Sequence, residues 1–281
     1  MFKRKITDAL LVKFKQYLLG QERSSGTVKK YLRDVRALAK WLGDRPVTKE
    51  AAAQWKDSLL EQGYRPVTVN SMVTAVNQFF ECSGWAGYRL RTLRIQRQTF
   101  RSDTRELGRD EYTRLLNAAQ GSGRTRLALL METVCATGIR VSEVQYVTVE
   151  AARAGYAEIC LKGKIRTILL PNRLCAKLLK YARRQKTASG KIFLTRSGKG
   201  LSRTQIWAEM KAVCAKAGVA ASKVFPHNLR HLFARTFYKA SRDVVKLADI
   251  LGHSSIETTR IYLISTGAEH ARQLDRLNLI L

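Results

Sequence analysis

Acid is scarce in this chain. Its 281 residues carry 22 Asp and Glu against 51 Lys and Arg, a formal charge of +29. An imbalance of that size excludes a cationic partner and favours a polyanion. No acidic cluster suited to a pair of Mg²⁺ ions is present, so if the protein cuts phosphodiesters, we expect it to do so without a metal. Cysteine is also sparse. Cys82, Cys135, Cys160, Cys175 and Cys214 are odd in number, widely spaced and free of any CxxC pair. That excludes a disulfide framework or a zinc ribbon and leads us to expect reduced, buried packing residues. There is no run of about 18 apolar residues. The amino terminus, MFKRKITDALLVKF, turns polar too soon for a secretory signal, so a cytoplasmic protein without a membrane span is expected. A GxxxxGK[ST] loop, a GxGxxG turn, a GxSxG elbow and an HExxH helix are all missing, as are internal repeats and low-complexity stretches.

The positive charge is spread along the chain. Residues 1–100 carry a net +11 and residues 101–281 a net +18. Both halves can therefore grip one polyanion, and nucleic acid, with roughly one charge per 1.7 Å of duplex axis, is the leading partner. Charge alone does not choose between DNA and RNA.

The length allows two domains with real cores. Residues 1–86 read as a helical domain of four helices. TDALLVKFKQYLLG ends at Gly20, SSGTVKKYLRDVRALAKWLG runs from a Ser cap to Gly43, TKEAAAQWKDSLLEQG lies between Thr48 and Gly63, and RPVTVNSMVTAVNQFFECSG ends at Gly84. In the second, Tyr31, Val35, Leu38 and Leu42 form an apolar stripe while Lys29, Lys30, Arg33 and Arg36 take the remaining positions. A helix so built can lie in a DNA groove or simply face solvent. Residues 87–103 form an arginine-rich linker, with Arg89, Arg91, Arg94, Arg97 and Arg101 and no acid between Glu81 and Asp103. A linker that is purely basic is expected to follow phosphates. Candidate DNA contacts are Lys30, Arg65, Thr68 and Asn70 in the helical domain, with Arg91 and Arg94 in the linker.

Residues 104–281 read as a mixed domain, giving a mainly α fold with a small antiparallel β-sheet. Helical patterns occupy about 109–120, 124–137, 172–186, 203–217, 226–240, 243–251 and 256–263. GYAEICLKGKIRTILLP, 155–171, has two β-rich runs about a tight KGK turn and predicts a hairpin.

Only four histidines are present, and two lie in FPHNLRHLFARTFY, residues 225–238. Pro226 suits a first helical turn, and helical periodicity puts Leu229, Leu232, Phe233, Thr236 and Phe237 on a packing side with His227, Arg230 and His231 opposite. Lysine would serve equally on a merely solvated face. Two histidines flanking an arginine suggest acid/base chemistry beside a fixed cation. His227 and His231 have the i, i+4 spacing of metal ligands, yet Asn228 stands where a metalloprotease carries its glutamate. Metal-free phosphodiester cleavage needs cations on the non-bridging oxygens, a general acid for the leaving oxygen and a nucleophile able to bond phosphorus. Candidates of these types are Arg140, Lys162, His227, Arg230, His253 and Tyr262.

At these residues the sequence resembles the tyrosine recombinases of the phage integrase family. ATGIRVSEV is similar to the first-arginine box, HNLRHLFA to the His-x-x-Arg box, and LGHSSIETTRIY to the box from the second histidine to the nucleophilic tyrosine. SSGTVKKYLRDVRAL and RPVTVNSMVTAVNQFF resemble the core-binding SAM-like domain. The resemblance leads us to expect no arm-binding domain before it, as in the simple two-domain Xer-type enzymes, and it implies a C-shaped clamp on duplex DNA. It also implies roles. Tyr262 would attack the scissile phosphate to give a 3′-phosphotyrosyl link. Arg140 and Arg230 would clamp the phosphate, His227 would move a proton at the tyrosine, His253 would bond a non-bridging oxygen, and Lys162 would protonate the departing 5′-oxygen. Glu143 and His231 would support rather than react. Neither cofactor nor metal is required, since the phosphotyrosine conserves the bond energy.

Some positions have rivals. Lys164 competes with Lys162, because this turn is shorter than the common GKGxKxR form, and Tyr238 competes with Tyr262. His270 has no motif and is expected at the surface. Leu274, Leu277, Ile280 and Leu281 form a terminal stripe that can dock on a neighbouring subunit or on its own domain. The family works as a homo-oligomer on double-stranded DNA, a dimer per site and a tetramer in the synapse. Two other functions fit the same residues: a type IB topoisomerase-like relaxing enzyme, and a DNA-binding accessory factor that has lost catalysis.

Overall fold

A computed structural model describes residues 4–95, 106–161, 164–262, 272 and 275–277, and within these the backbone only at Leu161 and Lys164. The chain forms two compact units, Met1–Arg97 and Gln98–Leu281. Lys162, Arg97, Arg101, His270, Leu274, Ile280 and Leu281 lie outside the described residues, as do residues 96–103 of the expected linker; Leu277 is exposed.

The first unit contains α1 (Asp8–Gly20), α2 (Ser25–Leu42), α3 (Lys49–Glu61) and α4 (Pro66–Cys82). Hydroxyls of Thr7, Ser24 and Thr48 accept the N–H groups of Leu10, Thr27 and Ala51, and Pro66 opens α4 where a missing N–H costs nothing. The apolar faces meet in a core of Phe14, Leu18, Val35, Leu38, Trp55, Val76, Phe79 and Phe80. Lys29, Arg33, Arg36 and Lys40 of α2 are exposed.

The second unit runs through α5 (Arg109–Gln120), α6 (Thr125–Thr137), a 3-10 turn (Val141–Tyr146), α7 (Val149–Ala154), strands β1 (Tyr156–Leu161) and β2 (Lys164–Leu169), α8 (Asn172–Arg184), α9 (Arg203–Lys211), α10 (Cys214–Ala217), α11 (Pro226–Ser241), α12 (Val244–Leu251) and α13 (Ile256–Arg260). The strands pair antiparallel from Tyr156↔Leu169 to Leu161↔Lys164, so the hairpin forms where expected. Alternation puts Arg166, Ile168 and Leu170 on the inner side and leaves Ile165 and Leu169 exposed. Leu115, Leu130, Met131, Val134, Ile139, Ile159, Leu178 and Leu229 belong to one core.

Several expectations need correction. The segment 203–217 is two helices, because the chain turns at Ala212 and Val213 before α10. Helix α7 has no counterpart in the sequence reading; its single six-residue turn is too short for a periodic signal. Cys160 is exposed and Cys82 and Cys135 are half-buried, leaving only Cys175 and Cys214 as buried thiols. On α11, Thr236 is exposed and Phe233 and Phe237 are only half-buried, whereas Arg230 is 1% exposed. The side read as basic and outward-facing therefore points its arginine into the protein.

Candidate active site

α6 ends at Gly138, which adopts a left-handed conformation (φ +65°) and packs so tightly on α11 that a Cβ there would fall within 2.6 Å of the Phe233 ring. This close approach carries Arg140 to the side of Arg230. The Arg230 guanidinium donates to the carbonyls of Gly138 (2.5 Å) and Leu251 (2.8 Å). Burial lowers the pKa of Arg230, an effect opposed by the nearby Tyr262 hydroxyl, and a guanidinium remains cationic under such a shift.

Arg230 Nη2 also lies 2.9 Å from His253 Nε2. Arginine has no acceptor, so Nε2 must accept, and the imidazole proton resides on Nδ1 and is donated to the buried Thr259 hydroxyl at 2.8 Å. His253 is thus neutral, with its pKa pulled down to about 4 by burial and by the charges of Arg230, Arg140 and Arg166.

Tyr262 follows the short α13 and is 4% exposed, packed in a cluster with Ala234, Leu247 and Leu251. Imidazoles surround its ring: His231 at 4.6 Å edge-on, His253 at 5.7 Å stacked and His227 at 6.1 Å between centroids. His227 in turn contacts His231 at 4.5 Å. Although one edge of His227 is open to solvent, the protein packed about its ring and the charges of Arg230 and Arg140 lower its pKa. The rival Tyr238 packs against the same apolar cluster from α11 and lies under the Arg242 guanidinium, 5.9 Å from its ring centre.

Glu143 organises the cationic side. It is 3% exposed, accepts the Arg140 N–H at 2.7 Å and the Arg140 guanidinium at 3.0 Å, and forms an ion pair with Arg166. Burial alone would raise the Glu143 pKa, but these donors outweigh it and hold the carboxylate below its ordinary range. Arg166 also donates to the Ile250 carbonyl at 2.9 Å and packs against Gly252, where a Cβ would come within 2.5 Å of its Cδ. It therefore ties β2, the Arg140 turn and the loop before His253 together. Arg166 escaped the sequence reading, yet a signal existed: an arginine in the inward register of KIRTIL is out of place on a packing face.

Arg140, His227, Arg230, His253 and Tyr262 line one open cleft of about 1060 Å³. Arg203, Thr204 and Trp207 of α9 form another wall, with the Lys211 ammonium 5.1 Å from the Trp207 ring centre. Nothing in a single sequence distinguished these α9 residues from a solvated helix face. Among the described residues, no group of three or more His, Cys, Asp or Glu side chains is placed to hold a metal ion, and no helix is long and apolar enough to cross a membrane.

In the first unit, Arg65 and Thr68 are exposed at the start of α4 and Arg91 and Arg94 are exposed beyond its end. Two other candidates are engaged internally. The Lys30 ammonium meets Asp34 at 2.6 Å and the Ser71 carbonyl at 2.8 Å. The Asn70 amide donates to the Leu93 carbonyl and accepts its N–H.

Comparison with known proteins agrees with both units. Residues 105–269 match the phage integrase family, and residues 11–87 match the phage integrase N-terminal SAM-like domain. The chain belongs to the phage integrase family, whose members cut and rejoin DNA. Tyrosine recombinase XerA of Pyrococcus furiosus is 29% identical over 292 residues, covering 100% of this chain and 98% of that protein. Tyrosine recombinase XerD of Brucella suis is 30% identical over 275 residues, covering 87% and 89%. Among solved structures, a lambda integrase dimer bound to a COC′ core site superposes with a TM-score of 0.72 at 18% identity, over 92% of this chain and 78% of that one. A lambda integrase tetramer bound to a Holliday junction gives 0.71 at 19% identity, over 90% and 76%.

Proposed function

We propose that this chain is a site-specific DNA recombinase in which Tyr262 is the nucleophile. The observation that carries the reading is the meeting of Arg140, Arg230, His227 and His253 with the Tyr262 hydroxyl in one cleft. The phenolic oxygen attacks phosphorus, the bond to the 5′-oxygen breaks, and a 3′-phosphotyrosyl link with a free 5′-hydroxyl results. Arg140 and Arg230 take the non-bridging oxygens through planar, paired donors. His227, with its lowered pKa, is the neutral base that receives the phenolic proton. Lys162 gives a proton to the departing 5′-oxygen. His253 now accepts from Arg230, so it begins as an acceptor; an arriving phosphate draws the Arg230 donor to itself and raises the imidazole pKa, which lets His253 donate to a non-bridging oxygen. Glu143 and Arg166 hold Arg140 and the His253 loop for this exchange. A second 5′-hydroxyl reverses the step on another strand, without ATP or metal.

The substrate is duplex DNA, with one protomer pair per site and two pairs in the synapse, in the cytoplasm. Arg65, Thr68, Arg91 and Arg94 meet the duplex, and Lys30 and Asn70 hold the surface behind them.

The test is an SDS trap on nicked duplex fragments from the source DNA. Wild-type protein gives a covalent adduct at defined sites and Tyr262→Phe gives none. Tight binding by both with no adduct from either would establish a non-catalytic DNA-binding protein. Supercoil relaxation without exchange between two marked duplexes would establish the topoisomerase-like alternative. Lys162 is tested on a 5′-bridging phosphorothioate, whose thiolate leaves without a proton: Lys162→Ala is inactive on ordinary DNA and active on the sulfur substrate. Activity of Lys162→Ala on ordinary DNA would reassign the general acid to Lys164, and inactivity on both substrates would give Lys162 a role other than proton donation.

A further inference from the structure

Asn70 and Asn77 stand two helical turns apart on one face of α4, and both amides are turned onto the backbone of residues 90–93. Asn77 accepts the Leu90 N–H at 2.8 Å and donates to the Leu90 carbonyl at 2.9 Å. Asn70 does the same at Leu93, at 2.7 and 2.9 Å. Each carboxamide thus takes the place of a neighbouring strand's peptide group. The spacing explains why two suffice: seven helical residues rise about 10.5 Å, and three extended residues span about 10 Å, so the two ladders are in register. The chain runs antiparallel to the helix and is fastened at both ends of the match.

Between and beside the two fastenings the side chains divide cleanly. Leu90 is buried and Leu93 half-buried against the core of the first unit, while Arg89, Arg91, Thr92 and Arg94 are exposed. The backbone is held from behind, and the arginines point away from the protein. Flexible arginines on a free linker would lose that freedom on meeting DNA; arginines on a fastened backbone have lost much of it already. No function yet assigned to the site requires two amides to be spent in this way.

We propose that residues 89–94 are a preordered rail for the phosphates of one DNA strand, with Arg91 and Arg94 as its contacts and Asn70 and Asn77 as its positioning residues. The proposal rests on the DNA-recombinase reading above.

Two measurements on the full chain test it. The first is hydrogen exchange of the free protein: the Leu90 and Leu93 amides exchange slowly and the Arg91 and Thr92 amides fast. Unprotected exchange at all four would overturn the fastening. The second is anisotropy on a labelled duplex of about 30 base pairs over a NaCl series. Arg91→Ala with Arg94→Ala lowers the salt slope by about two, one phosphate contact for each arginine. Asn70→Ala with Asn77→Ala weakens binding about fivefold in the wild-type background and less than about twofold when both arginines are already alanine, because amides that act only through the rail have nothing left to position. Equal weakening in both backgrounds would make the asparagines general supports of α4 and overturn their assigned role. An unchanged salt slope in the arginine variant would remove the rail, and a covalent adduct still formed on nicked DNA would show that the recombinase reading survives that loss. Where the double alanine variant unfolds, Asn77→Asp keeps the acceptor for Leu90 N–H and loses the donor, and is measured in the same two backgrounds.

Discussion

The two units treat charge in opposite ways. In the first, cations are spread over the surface, and buried Asp34 is met from its rim by Lys30 at 2.6 Å and Arg33 at 3.0 Å. In the second, Arg140, Arg166 and Arg230 converge around Glu143 and Tyr262, and Arg230 is among the largest fully buried side chains of the described residues. A spread of exposed cations gives affinity that salt screens and that no single residue dominates. Convergence leaves positive charge uncompensated in a shielded place. That costs stability in the free protein and favours an incoming phosphate, most strongly at the buried Arg230.

If this contrast is right, conservative changes act very differently in the two units. Arg230→Lys should lower single-turnover cleavage by about a thousandfold, because an ammonium cannot serve two carbonyls and a phosphate through a planar fork. Arg36→Lys on α2 should change DNA affinity by less than about twofold. A comparable effect from both would erase the distinction.

Gly138→Ala should cost about 2–4 kcal/mol in chemical denaturation, from a left-handed backbone and from overlap with Phe233. Arg166→Lys should leave binding unchanged and slow cleavage by about tenfold to a hundredfold, through misplacement of Arg140 and the His253 loop. A parallel loss of binding would make Arg166 a fold residue only.

The smallest effect is in pH. The folded pKa of His253, about 4, lies below its ordinary 6.5, so the unfolded chain binds its proton first. Its contribution to stability is complete above about 6.5 and is lost as pH falls from there toward about 4. His227 shifts in the same direction and adds to the loss. Melting temperatures across that window should fall in wild type and fall less steeply in His253→Gln. Equal slopes would remove His253 as the source.

Much of the fold was legible because it is local. Helix ends in the first unit followed Ser24, Thr48 and Pro66, and the hairpin followed two short β-rich runs. The candidate residues Arg140, His227, Arg230, His253 and Tyr262 stood out as residue types in three boxes, and the structure brings them to one cleft. What the boxes did not reveal was their mutual contact. The reading of α11 put Arg230 on an outward basic side, since periodicity knows only which residues share a face and not that α6 and the end of α12 press upon it. Arg166 and Asn70 were missed or misjudged for the same reason: an arginine in a strand and an asparagine on a helix announce their partners only when Glu143, Ile250 and Leu93 are brought beside them.

By itself, then, the sequence determined the class of partner, through a charge that cannot be hidden, the succession of helices and the hairpin, through periodicity and caps, and the kinds of chemistry available. Only the tertiary structure decided that Arg230 is buried and spoken for, that the His253 proton sits on Nδ1, and that two asparagines fasten the chain leaving α4. The reason is physical: caps and periodicity act within a few residues, whereas hydrogen bonds between groups far apart in the chain, such as Arg230 to Leu251, 21 positions away, and to Gly138, 92 positions away, exist only once packing has fixed both partners.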